Sequence, residues 1–374
     1  MKRDFWRDKR VFVTGHTGFK GSWLTLWLTE MGATVYGYAL PPPTTPSLFE
    51  QAAVDDVVRS TFGDIRDYES LAGTLARFEP DIVFHLAAQS VVLRSYEDPL
   101  ETYTTNVIGT ANLLQALRGV SRRCAVVNVT TDKVYENRRW VWGYRENDRL
   151  GGRDPYSSSK ACAELVARAF RDSFFATDGG AGTRIGVASA RAGNVIGGGD
   201  WTPHQLIPDT VLAMSEQRPV VLRHPEATRP WQHVLDCLSG YLTLAEALYG
   251  NPSRYADDWN FGPAAEHTQP VSRVVEIFAT HWGSQHMWQR DQRSSPHEEM
   301  TLCLDSQKAH HELQWAGRLS LDHALEWTAS WYRRHAEGVK ARLVCDAQIE
   351  QYSRLPDCIT SGRGPGHHRD TERA

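Results

Sequence analysis

The sequence has few cysteines and no long apolar run. Its 6 cysteines lie far apart in 374 residues, and no two have CxxC spacing. A chain of this length folds without disulfides, so we expect free thiols in a reducing compartment and no metal site. The longest apolar stretches, such as 81–88, fall far short of the roughly 20 residues of a membrane-spanning helix. The charged first ten residues lack a signal-peptide core, so we expect a cytoplasmic protein without a membrane partner.

The sequence also lacks an excess of either charge. Lys and Arg number 41 against 45 Asp and Glu, which gives a formal net charge of −4. A general binder of nucleic acid needs a basic excess, so no nucleic-acid partner is expected. Hydrophobic residues make up 41% and charged residues 23%, which allows a sizeable core and excludes a wholly disordered chain.

Short apolar runs alternate with helical stretches through the first half of the chain. The predicted strands are 10–14, 33–40, 81–86, 124–129 and 183–190, and the predicted helices are 23–31, 68–78, 102–117 and 157–175. The apolar runs do not alternate with a period of two, which indicates a parallel sheet covered on both faces. The pattern predicts an α/β fold of the Rossmann type, with a doubly wound parallel sheet.

The pattern loosens after residue 190, where Gly- and Pro-rich pieces appear. Helices are predicted there at 208–217, 233–249 and 321–334. We expect a dinucleotide-binding domain over 1–190 and a smaller, mixed substrate-binding part over 191–359, with room for strands that cross back into the sheet. Residues 360–374 are polar, Gly-rich and aperiodic, which predicts a disordered tail.

A glycine-punctuated turn joins the first predicted strand to the first helix. Gly15, Gly18 and Gly21 have GxxGxxG spacing. A dinucleotide pyrophosphate needs close backbone approach and free N–H groups at a helix N-terminus, and glycine allows both. Such turns also occur for structural reasons, and it is the position at the start of a βαβ unit that favours a cofactor site. The second strand ends without Asp, Glu or Arg, so charge does not decide between NAD and NADP. Asp64 either meets the adenine or caps the next helix.

A Thr, a Tyr and a Lys form the candidate catalytic group. Tyr156 and Lys160 are four residues apart, which places them on one face of a helix. A cation beside a phenol favours the phenolate, so we predict a lowered pKa for Tyr156 and a base for a sugar hydroxyl. YxxxK also occurs by chance on helix surfaces. Thr131 follows the fourth predicted strand, where its hydroxyl can hydrogen-bond the reacting oxygen.

Further motifs give the sequence a family resemblance over residues 8–335. They are TGHTGFKG (14–21), LAAQS (86–90), TNVIGT (105–110), TTDKVYEN (130–137), YSSSK (156–160), ARAGNVIGGGDW (190–201), RPWQH (229–233) and NFGP (260–263). Together they resemble the extended short-chain dehydrogenase/reductase family and, within it, the nucleotide-sugar 4,6-dehydratases that act on CDP-glucose. The resemblance implies an NAD-dependent hydro-lyase that makes a 4-keto-6-deoxy sugar nucleotide for deoxysugar biosynthesis.

The resemblance also implies catalytic roles. Tyr156 takes the C4 hydroxyl proton while hydride moves to NAD, Lys160 holds the phenolate and the nicotinamide ribose, and Thr131 hydrogen-bonds the C4 oxygen. Related dehydratases have Asp-Glu after the Thr, whereas this chain has Asp132-Lys133. We assign Asp132 as the acid for the C6 hydroxyl and Lys133 as the base for the C5 proton. Alternatively, Lys133 only positions groups, or the two form a surface ion pair.

Binding residues follow from the same resemblance. Besides Tyr156 and Lys160, the expected cofactor contacts are Gly15, Thr17, Gly18, Phe19, Lys20, Gly21, Asp64, Ile65, Leu86, Ala87, Ala88, Gln89 and Asn106. The expected substrate contacts are Asn194, Asp200, Trp201, Arg229 and His233.

Some of these positions have a stated role or an open alternative. Arg229 is expected to pair with the pyrophosphate, and His233 either touches a phosphate or caps its helix. Asp200 and Trp201 shape the sugar-nucleotide pocket, unless the aromatic ring is simply core. Arg191 resembles a family position near the nicotinamide, and Gln205 stands where the family often has Arg.

Two other functions would also explain part of this set of motifs. A nucleotide-sugar epimerase or reductase would use Tyr156 and Lys160 without needing Asp132 and Lys133. A non-catalytic dinucleotide-binding regulator typically loses the Tyr or the Lys.

The resemblance also concerns assembly. The helices over 102–117 and 157–175 are where this superfamily forms a four-helix interface, which implies a homodimer or homotetramer. Intramolecular packing explains their apolar residues equally well.

Overall fold

The computed structural model describes residues 2–175, 184–264, 268–285, 288–292 and 301–356. The predicted tail, 360–374, lies outside the described residues. The strands are β1 (Arg10–Thr14), β2 (Thr34–Ala39), β3 (Arg59–Phe62), β4 (Ile82–His85), β5 (Cys124–Val129), β6 (Ile185–Ala192), β7 (Asn194–Ile196), β8 (Val220–Leu222), β9 (Thr228–His233), β10 (Asp258–Phe261), β11 (Thr268–Pro270) and β12 (Trp288–Arg290).

The helices surround these strands and agree in most places with the predicted ones. They are α1 (Arg3–Trp6), α2 (Phe19–Glu30), α3 (Leu48–Gln51), α4 (Tyr68–Phe78), α5 (Val92–Glu97), α6 (Pro99–Tyr103), α7 (Gly109–Leu117), α8 (Pro155–Phe170), α9 (Leu206–Ser215), α10 (Val234–Gly250), α11 (Pro252–Tyr255), α12 (Val271–Trp282), α13 (Gln307–Leu313), α14 (Leu321–Ala336) and α15 (Ala341–Arg354). The helix predicted over 102–117 is interrupted by a π-helical turn, Thr104–Ile108.

The main sheet is a seven-stranded parallel sheet in the order β10-β6-β5-β4-β1-β2-β3. This confirms the predicted doubly wound α/β class. The strand order reverses between β1 and β4, where a ligand crevice forms in such sheets. β10 comes from the second half of the chain and pairs with β6.

Two apolar clusters cover the two faces of the sheet. Val11 and Val13 of β1 belong to the cluster that contains α2 and α10, whereas Phe12 belongs to the cluster that contains α4 and α7. Every residue of β5 and β6 is buried. Because both faces are covered, most successive residues of these strands are apolar, which is why the strands are visible in the sequence as nearly continuous runs.

Two small sheets and further helices complete the second half of the chain. One sheet has the order β11-β9-β7 and the other pairs β12 with β8. Among the described residues, no helix is long and apolar enough to cross a membrane. Within the same ranges, no group of three His, Cys, Asp or Glu side chains could hold a metal ion.

Candidate active site

A cleft of about 890 Å³ lies where the strands of the main sheet end. Its wall includes Gly15 after β1, Leu40 after β2, Gly63 after β3, Leu86 after β4 and Thr130 after β5. The carboxyl ends of parallel strands meet at one edge of a sheet, so loops that are distant in sequence are brought together there. The cleft therefore occupies the crevice that the strand order predicts.

The glycine turn forms one end of the cleft and has the shape of an anion cradle. Gly15 has φ +76°, and a Cβ there would lie 2.7 Å from the backbone of Ala87. A Cβ on Gly21 would lie 2.1 Å from the Gly15 carbonyl oxygen. Gly18 begins α2 as an N-cap with no side-chain cap, and a Cβ there would meet only one atom, at 3.5 Å. The open space and the uncapped N–H groups of α2 fit a dinucleotide pyrophosphate.

Asp64 lies on the cleft wall beyond the ends of β2 and β3. Its carboxylate pairs with the Arg66 guanidinium at 2.5 Å, and this hydrogen bond holds the pKa of Asp64 below its usual value. The cap of α4 is Asp67, whose side chain accepts from the Ser70 N–H. The alternative that Asp64 caps this helix is therefore wrong, and its carboxylate, held by Arg66, lies at the cleft wall.

The end of β5 and the start of α8 bring the predicted catalytic trio together. The Thr131 hydroxyl lies close enough to the Tyr156 phenol to act on the pKa of that phenol. Lys160 lies one turn along α8 and donates from Nζ to the Val129 carbonyl oxygen at 3.2 Å. Thr131, Tyr156 and Lys160 all line the cleft. Because the three belong to adjoining elements, their sequence spacing translates into a shared site.

Burial sets the protonation of this trio. Burial raises the pKa of the Tyr156 phenol, although the nearby Thr131 hydroxyl opposes the shift. The predicted lowering of the Tyr156 pKa is therefore wrong for the protein alone. Burial, and then the nearby charge of Lys20, lowers the pKa of Lys160 to about 8. Burial therefore disfavours the charged form of Lys160, the same ammonium that should favour a Tyr156 phenolate.

Asp132 and Lys133 form a pair at the wall of the cleft. Lys133 Nζ lies 3.7 Å from Asp132 Oδ1, and the Thr131 hydroxyl donates to the same oxygen at 3.0 Å. Asp132 is fully buried behind the wall, whereas Lys133 lines the cleft with its side chain 29% exposed. The alternative of a surface ion pair is wrong because the carboxylate has no exposed surface.

The predicted cofactor residues of the 86–89 loop line the cleft, but Asn106 does not. Asn106 lies behind the loop, in the π-helical turn. Its Nδ2 donates to the Gln89 carbonyl oxygen at 3.0 Å and to Ser159 Oγ at 2.8 Å, and its Oδ1 accepts from the Gln89 N–H at 2.9 Å. Asn106 therefore orients Gln89 against α8, and its direct contact with the cofactor stays a prediction.

Three of the predicted substrate residues, Asn194, Asp200 and Arg229, also line the cleft. Trp201 packs instead against the Tyr332 ring, and its Nε1 donates to Gln51 Oε1 at 2.9 Å. The core alternative for Trp201 is the one that the contacts favour.

His233 belongs to the core and not to the cleft wall. It is fully buried beside the Trp23 and Trp327 rings, and its Nδ1 accepts from the Leu235 N–H at 3.2 Å. It therefore caps α10, and burial lowers its pKa to about 3. Because His233 caps α10 and does not line the cleft, the capping alternative is the one that the contacts support.

Arg191 is also fully buried and away from the cleft wall. Its guanidinium pairs with Glu164 at 2.5 Å and with Asp258 at 3.1 Å. The implied position beside the nicotinamide is corrected accordingly, because both carboxylates hold the side chain beneath the sheet ends.

Comparison with known proteins places this architecture in a family. A family model described as GDP-mannose 4,6 dehydratase matches residues 12–328. The chain belongs to this family of nucleotide-sugar dehydratases. It is 50% identical over 352 residues to the CDP-glucose 4,6-dehydratase of Salmonella typhimurium, which covers 94% of this chain and 98% of that relative.

Relatives named for other nucleotide sugars have a lower sequence identity to this chain. The dTDP-glucose 4,6-dehydratase of Streptomyces griseus is 30% identical, over 87% of this chain and 94% of that protein. The crystal structure of the dTDP-glucose 4,6-dehydratase of Streptomyces venezuelae, with NAD bound, has a TM-score of 0.73 and 26% identity and covers 88% of this chain and 98% of that one.

In this member of the dehydratase family, sequence reasoning missed part of the cleft wall. Arg153, His204, Arg223 and Leu302 line the cleft without having been predicted, and Gln205 lines it where the family often has Arg. Arg153 stands three residues before Tyr156, so proximity to the YxxxK motif was a usable signal. Arg223 follows β8, a three-residue strand that gives no recognisable pattern.

Proposed function

We propose that this chain is an NAD-dependent CDP-glucose 4,6-dehydratase, which converts CDP-glucose to its 4-keto-6-deoxy derivative and water. The observation that carries the proposal is the meeting of Thr131, Tyr156 and Lys160 with the Asp132–Lys133 pair, beside a glycine cradle. The Salmonella relative supports CDP-glucose as the substrate. We infer a cytoplasmic location, supported by the free cysteines among the described residues.

The chain's own residues would hold the cofactor along one half of the cleft. The N–H groups at the start of α2 and the open face of Gly18 suit the pyrophosphate, and Asp64 suits the adenosine end. A bound NAD would supply the hydride acceptor for C4 and, in its reduced form, the hydride donor for C6. Because the cofactor is regenerated in each cycle, it can remain bound.

Tyr156 carries the proton of the C4 hydroxyl in the first step. The Thr131 hydroxyl lies near the phenol and also lines the cleft, so both oxygens can contact the C4 oxygen of the sugar. Burial opposes ionisation of the phenol, so the Lys160 ammonium is needed to favour the phenolate. The charge of Lys160 is present below about pH 8 and is lost above it.

The second step is loss of water across C5 and C6. The C4 ketone makes the C5 proton acidic, and Lys133, on the cleft wall, is the amine that takes it. Asp132 lies behind the wall and contacts Thr131 and Lys133, which both line the cleft. We therefore assign to the pair a shared proton that passes to the departing C6 hydroxyl.

A substrate screen tests this function. The chain is incubated with NAD and, separately, with CDP-glucose, dTDP-glucose, UDP-glucose and GDP-mannose. We expect a 4-keto-6-deoxy product from CDP-glucose, without net accumulation of reduced cofactor. A C4 epimer as the only product would favour an epimerase, and NAD binding without any turnover would favour the regulator.

We further propose that the chain forms a homodimer or homotetramer through the outer faces of α6 and α8. Large apolar side chains are exposed on and beside these helices: Leu100 (76%), Leu165 (52%) and Ile108 (51%). Apolar surface of this kind marks an interface when it is contiguous. Light scattering of the native chain and of Leu100→Lys is the test, and a monomeric native chain would contradict the proposal.

A further inference from the structure

A buried cluster of charges lies directly behind the catalytic turn. Arg191 is fully buried and does not line the cleft. Its guanidinium contacts Glu164, Asp258 and the Tyr135 hydroxyl, the last at 2.6 Å. The partly exposed Arg168 guanidinium also pairs with the Asp258 carboxylate, at 2.6 Å. Buried charges are costly unless they are paired and hydrogen-bonded, so this cluster has a strongly determined geometry.

Glu164 is the member of the cluster that faces the catalytic residues. Its Oε1 accepts from the Thr130 hydroxyl at 2.5 Å, and the Arg191 guanidinium holds both of its oxygens, at 2.9 and 3.0 Å from Nε. Thr130 is the neighbour of Thr131 in the chain. The carboxylate therefore ties the end of β5 to α8 at the point where the catalytic hydroxyl emerges.

Glu164 also lies four residues after Lys160 on α8, so the two side chains share one face of the helix. The charged and titratable groups near Lys160 are Lys20 on α2, His85 on β4, and Tyr156 and Glu164 on α8 itself. Burial lowers the pKa of His85 to about 3, and burial keeps Tyr156 neutral. Lys20 repels the ammonium, and Glu164 is the anion that opposes this repulsion.

We propose that Glu164 is a positioning residue for the dehydration reaction, whose buried carboxylate holds the Thr130–Thr131 turn and supplies the counter-charge that keeps Lys160 cationic. The proposal rests on the proposed function for its catalytic consequence. Its electrostatic part concerns the protein alone and can be measured without any sugar nucleotide.

The test compares Glu164→Gln with a matched control, Asp258→Asn. The control removes a carboxylate from the same Arg191 guanidinium but leaves the Thr130 hydrogen bond and the anion beside Lys160 in place. The first measurement is competitive labelling of Lys160 by an amine reagent across pH, read by peptide mass spectrometry. The second is the pH profile of kcat with CDP-glucose.

We expect the labelling midpoint of Lys160, about 8 in the native chain, to move down by about 1 pH unit in Glu164→Gln and to stay in place in the control. At about pH 8.5 the ammonium fraction then falls from about 0.24 to about 0.03, so kcat drops about 8-fold. At pH values well below the midpoint, this charge effect disappears. Thr130→Val keeps the charge, so we expect a loss of kcat that is the same at every pH.

Labelling curves that coincide for the native chain and Glu164→Gln would overturn the electrostatic part, and native kcat in Thr130→Val would overturn the part about the turn. If the Glu164→Gln variant does not fold, Glu164→Gln combined with Arg191→Met removes both buried charges and repeats the labelling test, because replacing a whole buried pair is tolerated better than removing one partner. If the native chain turns over no sugar nucleotide while the labelling midpoint still moves, the proposed function fails and the electrostatic assignment stands.

Discussion

Replacing Lys133 should separate the two chemical steps. Lys133→Met removes the amine from the cleft wall and leaves the Asp132 carboxylate, which is fully buried, with the Thr131 hydroxyl as its remaining hydrogen-bond donor. Loss of one partner of a buried polar group costs about 1–3 kcal/mol, and the partial exposure of Lys133 places the loss at the lower end. The variant therefore folds, and the effect on catalysis is measurable.

The expected catalytic loss is specific to dehydration. A general base contributes about 10²- to 10⁴-fold to a rate, so we expect formation of the 4-keto-6-deoxy product to slow by about that factor. Tyr156, Lys160 and Thr131 are untouched, so oxidation at C4 continues and reduced cofactor accumulates, seen by its near-ultraviolet absorbance. Product is measured separately as the 4-keto sugar.

Lys133→Arg is the matched control for this experiment. Arginine places a permanent positive charge beside Asp132 and stays protonated, so it cannot act as a base. If Lys133 is the base, both variants lose dehydration. Near-native turnover in Lys133→Arg would show that Lys133 only positions groups, and equal loss of oxidation and dehydration in Lys133→Met would refute the separation of roles.

Further predictions concern the cofactor cradle and the buried histidines. Gly18→Ala should keep the native melting temperature but weaken NAD binding in a titration, because its Cβ meets only the Gly15 carbonyl oxygen, at 3.5 Å. Gly21→Ala should lower the melting temperature, because its Cβ would lie 2.1 Å from that same oxygen; equal stability of the two variants would contradict this. Burial lowers the pKa values of His85 and His233 to about 3. Between about pH 6.5 and 3 the unfolded chain therefore binds more protons than the folded chain. The free energy of unfolding then falls on acidification, by up to about 1.4 kcal/mol per pH unit for each ring. Urea unfolding across this range is the measurement, and a flat profile would contradict the prediction.

The sequence predicted the central strands of the main sheet, such as β5, but not the edge strand β3. β5 has six consecutive buried residues, and the continuous apolar run that results is readable without a structure. β3, with the sequence RSTF, lies at the edge of the sheet and is partly or fully exposed at every position. No apolar signal marks such a strand, because its order comes from pairing with β2.

Motif spacing predicted which residues lie near the cleft, but not whether each side chain lines the cleft or is buried in the core. Thr131, Tyr156 and Lys160 lie on adjoining elements, so their proximity follows from the order of strand and helix. Whether His233 faces the cleft or the core depends on two tryptophans more than 90 residues away in the sequence. The direction of the Tyr156 pKa shift depends on the degree of burial, which no local pattern specifies.

The pairing of β10 with β6 makes completion of the site a late event in synthesis. Residues 189–192 of β6 acquire their outer neighbour only when 258–261 have been made. Until then a growing polypeptide leaves an open strand edge immediately before Asn194, where stray pairing with other chains is favoured. The same arrangement means that a fragment cut between the two halves cannot reproduce the whole sheet.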